Sequence, residues 1–406
     1  MSAIDPVGAS ATPTQPGRAR IDLWLAFILL AGGLLRLHLA MTTPYYHDEK
    51  EIHIRVAKSI SFSTDNLNLP LRGLNHPALV GYVIKASSAL FGSSRLGYRV
   101  MHLLAGLFTI LLVFRITNQW YGPPAARWAA ALLAFNEYHI GVSGIATSHA
   151  PHLLSVVLAV YAFQRFLGTR RVAYLYGAGV AAGMAFYVKE HSVLLLGAFL
   201  LTLFRAEHRT WLRSWHPYLA CGLFLVLIAP DVAWNLDGSR DAARATVAFV
   251  DGPQATYADH LARVGSIGFS PYPLAFFGRD TFVWLYELTT GSQFRDAIAE
   301  YRSMNSLLGV LLLGGVVAMA WRPPVAGGIR GFLLMLFWVV LGFFLCVRPG
   351  EQSRLDSVSW SWVDMSLLPS AILAGVWLSA ANTNRRIAVR IAVCAAMLYA
   401  ALRAVS

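Results

Sequence analysis

The apolar positions of this chain come in long blocks, with polar residues gathered between them. Helical periodicity inside a block is weak, because most blocks are apolar on every side. A helix crossing a bilayer needs roughly 20 predominantly apolar residues. Runs of about that kind fall near 22–41, 96–115, 125–143, 149–167, 172–189, 191–205, 217–236, 304–321, 330–347, 361–380 and 387–404. The pattern predicts an all-α polytopic membrane protein with about eleven transmembrane helices. Two long stretches, 42–95 and 237–303, interrupt it. Within the second, the apolar segment Phe276 to Leu288 contains Arg279, Asp280 and Glu287. Charges at membrane depth are costly, so it is expected to lie along the interface.

Composition supports this reading. Hydrophobic residues make up 56% of the 406 residues and charged ones only 13%, against about 25% in ordinary soluble domains. Twelve tryptophans and 16 tyrosines suit many membrane–water interfaces. The net charge of +12 needs no nucleic acid, because the arginines sit in alternate loops. Arg18 and Arg20 precede the first run. Arg115 with Arg127, Arg165 with Arg170 and Arg171, Arg205 with Arg209 and Arg213, Arg322 with Arg330, and Arg385 with Arg386 and Arg390 follow at every second turn. Positive loops mark the cytoplasmic side. The loops 42–95, 237–303 and 348–360 are therefore expected outside. Residues 1–20, polar and rich in Pro, Ala and Thr, read as a disordered cytoplasmic tail, with one membrane domain over 21–406. Cys221, Cys346 and Cys394 lie in apolar runs without paired spacing. They read as small packing residues, not as a disulfide or zinc framework.

Candidate chemistry concentrates in the first outer loop. Tyr45-Tyr46-His47-Asp48-Glu49 follows the first span directly, with His53 close by. Paired carboxylates can supply a general base. They can equally cap the next helix, since Asp is a favoured N-cap. Lys189 ends an apolar span on the outer side. Its ammonium can hold a phosphate as a point charge, snorkel to the interface, or be neutralised by Glu190. His149 and His152 lie three apart at a helix start. With Asp48, Glu49 and His76 they are a candidate divalent-metal set. The alternative is a helix opening at Pro151 with histidines facing water. His76, before Pro77, can simply shape the loop backbone.

Several pieces, taken in order, resemble the GT-C superfamily that includes protein O-mannosyltransferases and lipid A aminoarabinose transferases. They are Leu34-Leu35-Arg36-Leu37, Asp48-Glu49, Asn75-His76-Pro77-Ala78-Leu79, Phe91-Gly92 with Arg95-Leu96 and Arg99, Tyr121-Gly122 with Ala125-Ala126, Gly183 to Lys189, and Ala229-Pro230 with Trp234-Asn235. They cover roughly residues 30–240; the remainder matches mainly by hydropathy. The resemblance implies the GT-C fold and an inverting sugar transfer on the extracytoplasmic face of a bacterial inner membrane. The donor would be a polyprenyl-phosphate sugar, and the acceptor a lipid, polysaccharide or protein. It assigns the catalytic carboxylate to Asp48 and a second role, in acceptor or metal binding, to Glu49. Lys189, Arg348 and Arg354 would hold the donor phosphate, and Tyr46, His47 and His76 would line the substrate loop. The family's Arg-Tyr is replaced here by Val363-Asp364, and an Asp near the fourth span by the histidine pair. Acceptor recognition would fall to the loops. A polytopic transporter is the competing class; it predicts inverted halves and broken helices at the midplane. The sequence has no such halves. A non-catalytic GT-C-like envelope protein is the other alternative.

The arginine asymmetry fixes a testable topology. Single cysteines at Ser63 and at Thr383, on a cysteine-free background, are expected to differ in intact cells. An impermeant thiol reagent should label the Ser63 site and leave the Thr383 site unlabelled; the reverse pattern contradicts the topology.

Overall fold

A computed structural model describes residues 22–46, 48–64, 66–69, 77–236, 306–321, 331–334, 336, 355–380 and 384–405. The expected tail 1–20, the second outer loop and most of the span at 330–347 lie outside these residues.

The described chain is a helical bundle. Helix α1 (Leu23–Thr42) opens on Asp22, whose carboxylate accepts from the Trp24 and Leu25 amides and so satisfies two of the free donors at the helix start. A π-helical segment (Asp48–Ile54), α2 (Arg55–Ser59) and a small antiparallel hairpin, β1 (Ser61–Ser63) with β2 (Asn66–Asn68), follow. Ser61 pairs with Asn68 and Ser63 with Asn66. Helix α3 (Leu79–Phe91) then leads into α4 (Arg95–Tyr121). Loop 42–95 is thus largely folded rather than an open connection.

The span expected at 125–143 is two helices, α5 (Pro123–Ala134) and α6 (Glu137–Gly144). Prolines 123 and 124 start α5, where their missing N–H groups cost nothing. Asn136 restarts the chain as α6, its side chain accepting from the His139 amide. The break frees the Ala134 carbonyl, which Arg36 of α1 takes at 2.9 Å. Arg36 Nη1 also donates to Gly32 O at 2.8 Å, and its Nη2 lies 2.5 Å from His139 Nδ1. A fully buried guanidinium therefore stitches α1 to the broken helix.

Next come α7 (His149–Thr169), α8 (Val172–Phe186), α9 (Leu194–Leu203) and α10 (His216–Leu236). The expected spans at 172–189 and 191–205 are separated by a 3-10 turn, Glu190–Val193. Helices α11 (Ser306–Trp321), α12 (Leu355–Ser379) and α13 (Asn384–Val405) complete the described chain. Among the described residues, four helical stretches are long and apolar enough to cross a membrane: Leu23–Thr42, Arg95–Tyr121, His149–Thr169 and His216–Ala233.

Small residues let the helices approach closely, as membrane bundles require. The centre is filled by aromatics, with Phe163 stacked on Phe199 at 4.2 Å between centroids and Phe332 at 5.3 Å from Phe163. A Cβ on Gly179 would stand 2.4 Å from Ala220 O, between α8 and α10. One on Gly375 would stand 2.6 Å from Ala129 N, between α12 and α5. Gly222 has open space instead. Gly179→Val and Gly375→Val are therefore expected to destabilise the protein by about 1–3 kcal/mol each. Gly222→Ala should leave it unchanged or slightly more stable. Thermal unfolding in detergent measures all three.

Candidate active site

The site is built where the end of α1, the π-helical segment, the start of α4 and the α6–α7 connection meet. Arg99 sits one turn into α4, fully buried. A guanidinium has five N–H donors in a fixed fork, and each finds an acceptor. Nε donates to Glu49 Oε1 at 2.7 Å and Nη2 to Glu49 Oε2 at 2.6 Å. Nη1 donates to Ala40 O at 2.9 Å and Thr43 O at 2.8 Å, and Nη2 also to Pro44 O at 2.9 Å. The carbonyls left over at the end of α1 are thus satisfied by the same side chain that grips the next element.

Glu49 is equally saturated. Besides Arg99, its Oε1 accepts from the Ala146 amide at 2.9 Å and its Oε2 from the Tyr46 amide at 3.2 Å. The carboxylate is fully buried. It ties the π-helical segment to α4 and to the bend residues before α7. Asp48 opens that π-helical segment. Single-turn π segments recur at functional sites because they turn one residue out of helical register. The Asp48 side chain, His47 and His76 lie outside the described residues, as do Arg348 and Arg354. Tyr46 is part-buried and enters through its backbone. Tyr45, just before it, lies beneath two guanidinium groups, with Arg95 and Arg99 each 5.6 Å from its ring centroid. Burial, with Glu49 nearby, raises the Tyr45 pKa, so the ring stays a neutral phenol.

Three residues beyond Ala146, His149 begins α7. Its Nδ1 is 2.8 Å from Lys189 Nζ and 3.1 Å from Tyr138 Oη. Lys189 is 2% exposed and lies just past the end of α8. The structure thus brings Lys189 and His149 together, with Glu49 bound three residues upstream of His149. His152 is bound elsewhere: its Nε2 is 2.7 Å from Ser192 Oγ. His149 and His152 therefore serve different partners. Among the described residues no group of three or more His, Cys, Asp or Glu side chains is placed to hold a metal ion.

Arg99, Arg36, Tyr138 and Ser192 were not assigned roles by sequence reasoning. Arg36 and Arg99 carried a signal that could have found them, since each is a charge inside an otherwise apolar run. Tyr138 and Ser192 carried none.

The comparisons agree with this architecture. The family model described as dolichyl-phosphate-mannose-protein mannosyltransferase matches residues 75–234. An undecaprenyl phosphate-alpha-4-amino-4-deoxy-L-arabinose arabinosyl transferase 2 from Pseudomonas fluorescens is 27% identical over 380 residues, 91% of this chain. A transferase of the corresponding name from Pseudomonas aeruginosa is 30% identical over 166 residues, 40% of this chain and 30% of its own length. The chain spans 58% of the length of the Pseudomonas fluorescens relative. Among solved structures, ArnT from Cupriavidus metallidurans bound to undecaprenyl phosphate has a TM-score of 0.61 at 14% identity, covering 92% of this chain and 63% of that one. The archaeal oligosaccharyltransferase AglB from Archaeoglobus fulgidus, in complex with an inhibitory peptide and a dolichol-phosphate, has a TM-score of 0.54 at 14% identity, covering 94% of this chain and 55% of that one. At such identities the structural likeness speaks for the fold. The order of motifs, the family-model match over residues 75–234 and the structural likeness agree: this integral membrane chain is similar to the GT-C membrane glycosyltransferases and shares their fold.

Proposed function

We propose that the protein transfers a sugar from a polyprenyl-phosphate carrier to an acceptor on the extracytoplasmic side of a bacterial inner membrane. The observation that carries this reading is the buried Arg99–Glu49 clamp. It fixes the segment bearing Asp48 to the connection that leads into His149 and its partner Lys189. A carboxylate and a cation held on one scaffold are what a displacement at a phosphorylated anomeric carbon requires. The similar proteins add weight, since one solved structure holds undecaprenyl phosphate and another a dolichol-phosphate.

In this mechanism Asp48 removes the acceptor proton as the acceptor oxygen attacks the anomeric carbon. The bond to the phosphate oxygen breaks with inversion, and no glycosyl-enzyme forms. Lys189 stabilises the departing polyprenyl phosphate, with Arg348 and Arg354 supplying further positive charge. Tyr46, His47 and His76 line the acceptor approach. Glu49 acts indirectly. Both its oxygens are committed to Arg99 and to backbone amides, so it is a positioning residue and not an acceptor or metal ligand. The sugar and the acceptor are to be found by mass spectrometry of envelope glycans in a deletion strain.

Asp48→Asn keeps size and hydrogen bonding while removing basicity. Turnover is expected to fall at least about 100-fold, the lower end of what general-base help contributes. Expression, detergent stability and donor binding should stay near wild type. Sugar transfer from a labelled polyprenyl-phosphate donor in proteoliposomes measures this. A fully active Asp48→Asn protein would remove Asp48 as the base, while a transporter would move solute without forming any glycoside.

Arg99→Lys should behave differently. It keeps the charge but cannot reach five acceptors from a rigid fork, leaving Glu49 partly unpaired in a dry site. Each lost hydrogen bond to a charged group costs about 1.5–3 kcal/mol. Arg99→Lys is therefore expected to lower the unfolding temperature as well as activity, whereas Asp48→Asn lowers activity alone.

A further inference from the structure

Away from the candidate site the bundle carries a second concentration of charge. Helix α7 begins beside Lys189 and runs 21 residues to Thr169. At about 1.5 Å per residue this spans about 30 Å, the thickness of a hydrocarbon core. The α7–α8 turn therefore stands at the opposite bilayer surface from His149. The connection 204–215, between α9 and α10, folds against that turn. Trp211 meets Phe166 of α7 edge-on at 4.9 Å between centroids, and Arg170 Nη1 donates to His208 Nδ1 at 3.1 Å. Arg170 makes this contact from a left-handed backbone, φ 59°, where glycine is the usual residue at a helix end. Because Nδ1 accepts, the His208 ring is neutral. Burial, and then the neighbouring Arg170, lowers its pKa and keeps it so.

The charge here is one-sided. Residues 165–176 hold three arginines and no acid, and residues 204–218 hold three arginines and one acid, Glu207. Glu207 is taken up by Arg205 at 3.2 Å and lies 3.5 Å from His208 Nε2. Arg171, Arg209 and Arg213 are exposed, and among the described residues none has a hydrogen bond or ion pair through its side chain. Beside them the surface turns apolar: Phe204 is 60%, Trp215 62% and Tyr218 64% exposed. Trp and Tyr favour the headgroup level of a bilayer, where ring and polar tip each find their own solvent. A soluble polyanion would engage the arginines and leave these rings in water. A phospholipid engages both, with its phosphate against the guanidinium groups and its chains along the rings. We propose that this surface, Arg171, Arg209 and Arg213 with Phe204, Trp215 and Tyr218, binds anionic phospholipids of the leaflet at this end. This role is independent of sugar transfer.

Native mass spectrometry of the full chain in detergent tests this with two probes. Phosphatidylglycerol and phosphatidylcholine of identical acyl chains differ in net charge. Wild type is expected to prefer phosphatidylglycerol by about ten-fold or more, and by less as ionic strength rises. Replacing Arg171, Arg209 and Arg213 together by Gln should bring phosphatidylglycerol down to the level of phosphatidylcholine, on the scale of about five-fold per arginine. Replacing the same three by Lys should keep the preference, because the charge persists. Lys58→Gln with Lys85→Gln removes two charges from the 42–95 loop instead and should leave the preference unchanged. Phe204→Ser should weaken both lipids alike, by about three-fold or more, through lost apolar contact.

Equal binding of the two lipids by wild type would overturn the proposal. A preference that survives the three Gln replacements would place the lipid elsewhere. An equal fall in the Lys58 and Lys85 variant would mean that net charge alone, and no particular surface, draws the lipid. If Phe204→Ser weakens neither lipid, the arginines take soluble anions rather than phospholipid, and the proposal fails on that ground. The three arginines have no side-chain partner in the fold, so their Gln variant should unfold in lipid-free detergent at the wild-type temperature. The comparison of Gln with Lys at the same positions isolates charge from any change in packing.

Discussion

The site depends on one ionic contact, the buried pair of Arg99 and Glu49. Everything near Asp48 that must be rigid is attached to it. Arg99 closes the carbonyl end of α1, the loop that follows, and the carboxylate of the π-helical segment. Glu49 passes the attachment on to Ala146, before α7. A buried ion pair is seldom a net gain over well-packed apolar side chains, because two charges must leave water. What this one supplies is direction. Five donors and two carboxylate oxygens admit essentially one arrangement of α1, the first outer loop and α4.

A second arginine does comparable service deeper in the bundle. The α5–α6 break would leave a helix-end carbonyl in a region without water, which is expensive. Arg36 fills that vacancy and meets His139 on the new helix. Two charges that hydropathy alone would discourage are therefore the reason that interrupted backbone is tolerated. Both act where backbone leaves regular helix, and both are completely buried.

The functional groups follow the same economy of position. Lys189 lies just past the end of one helix and His149 at the start of another, 40 residues apart in sequence. Antiparallel helices with short connections bring such ends together on one side of the membrane. Lys189 and His149 thus meet at the helix ends, while the apolar core centred on Phe163, Phe199 and Phe332 is left to packing.

The apolar blocks of the sequence were enough to determine a membrane-spanning helical protein, and the arginine pattern gave its expected sidedness. Hydropathy needs no knowledge of neighbours, because lipid imposes the same demand on every span. The order of motifs pointed to the GT-C superfamily, and the Asp48-Glu49 pair and Lys189 stood out as charges beside apolar runs. Tertiary structure alone decided how these charges are used. Asp48 and Glu49 are adjacent in sequence and look equivalent there, yet Glu49 is buried against Arg99, fifty residues away. The histidine pair looked like metal-ligand spacing, but His149 meets Lys189 and His152 meets Ser192. The break at Phe135-Asn136 was hidden inside an apolar run, because its cost is met by a side chain from another helix. Hydropathy records what each residue requires of its solvent; which partner satisfies a buried charge is a property of distances that exist only after the helices have packed.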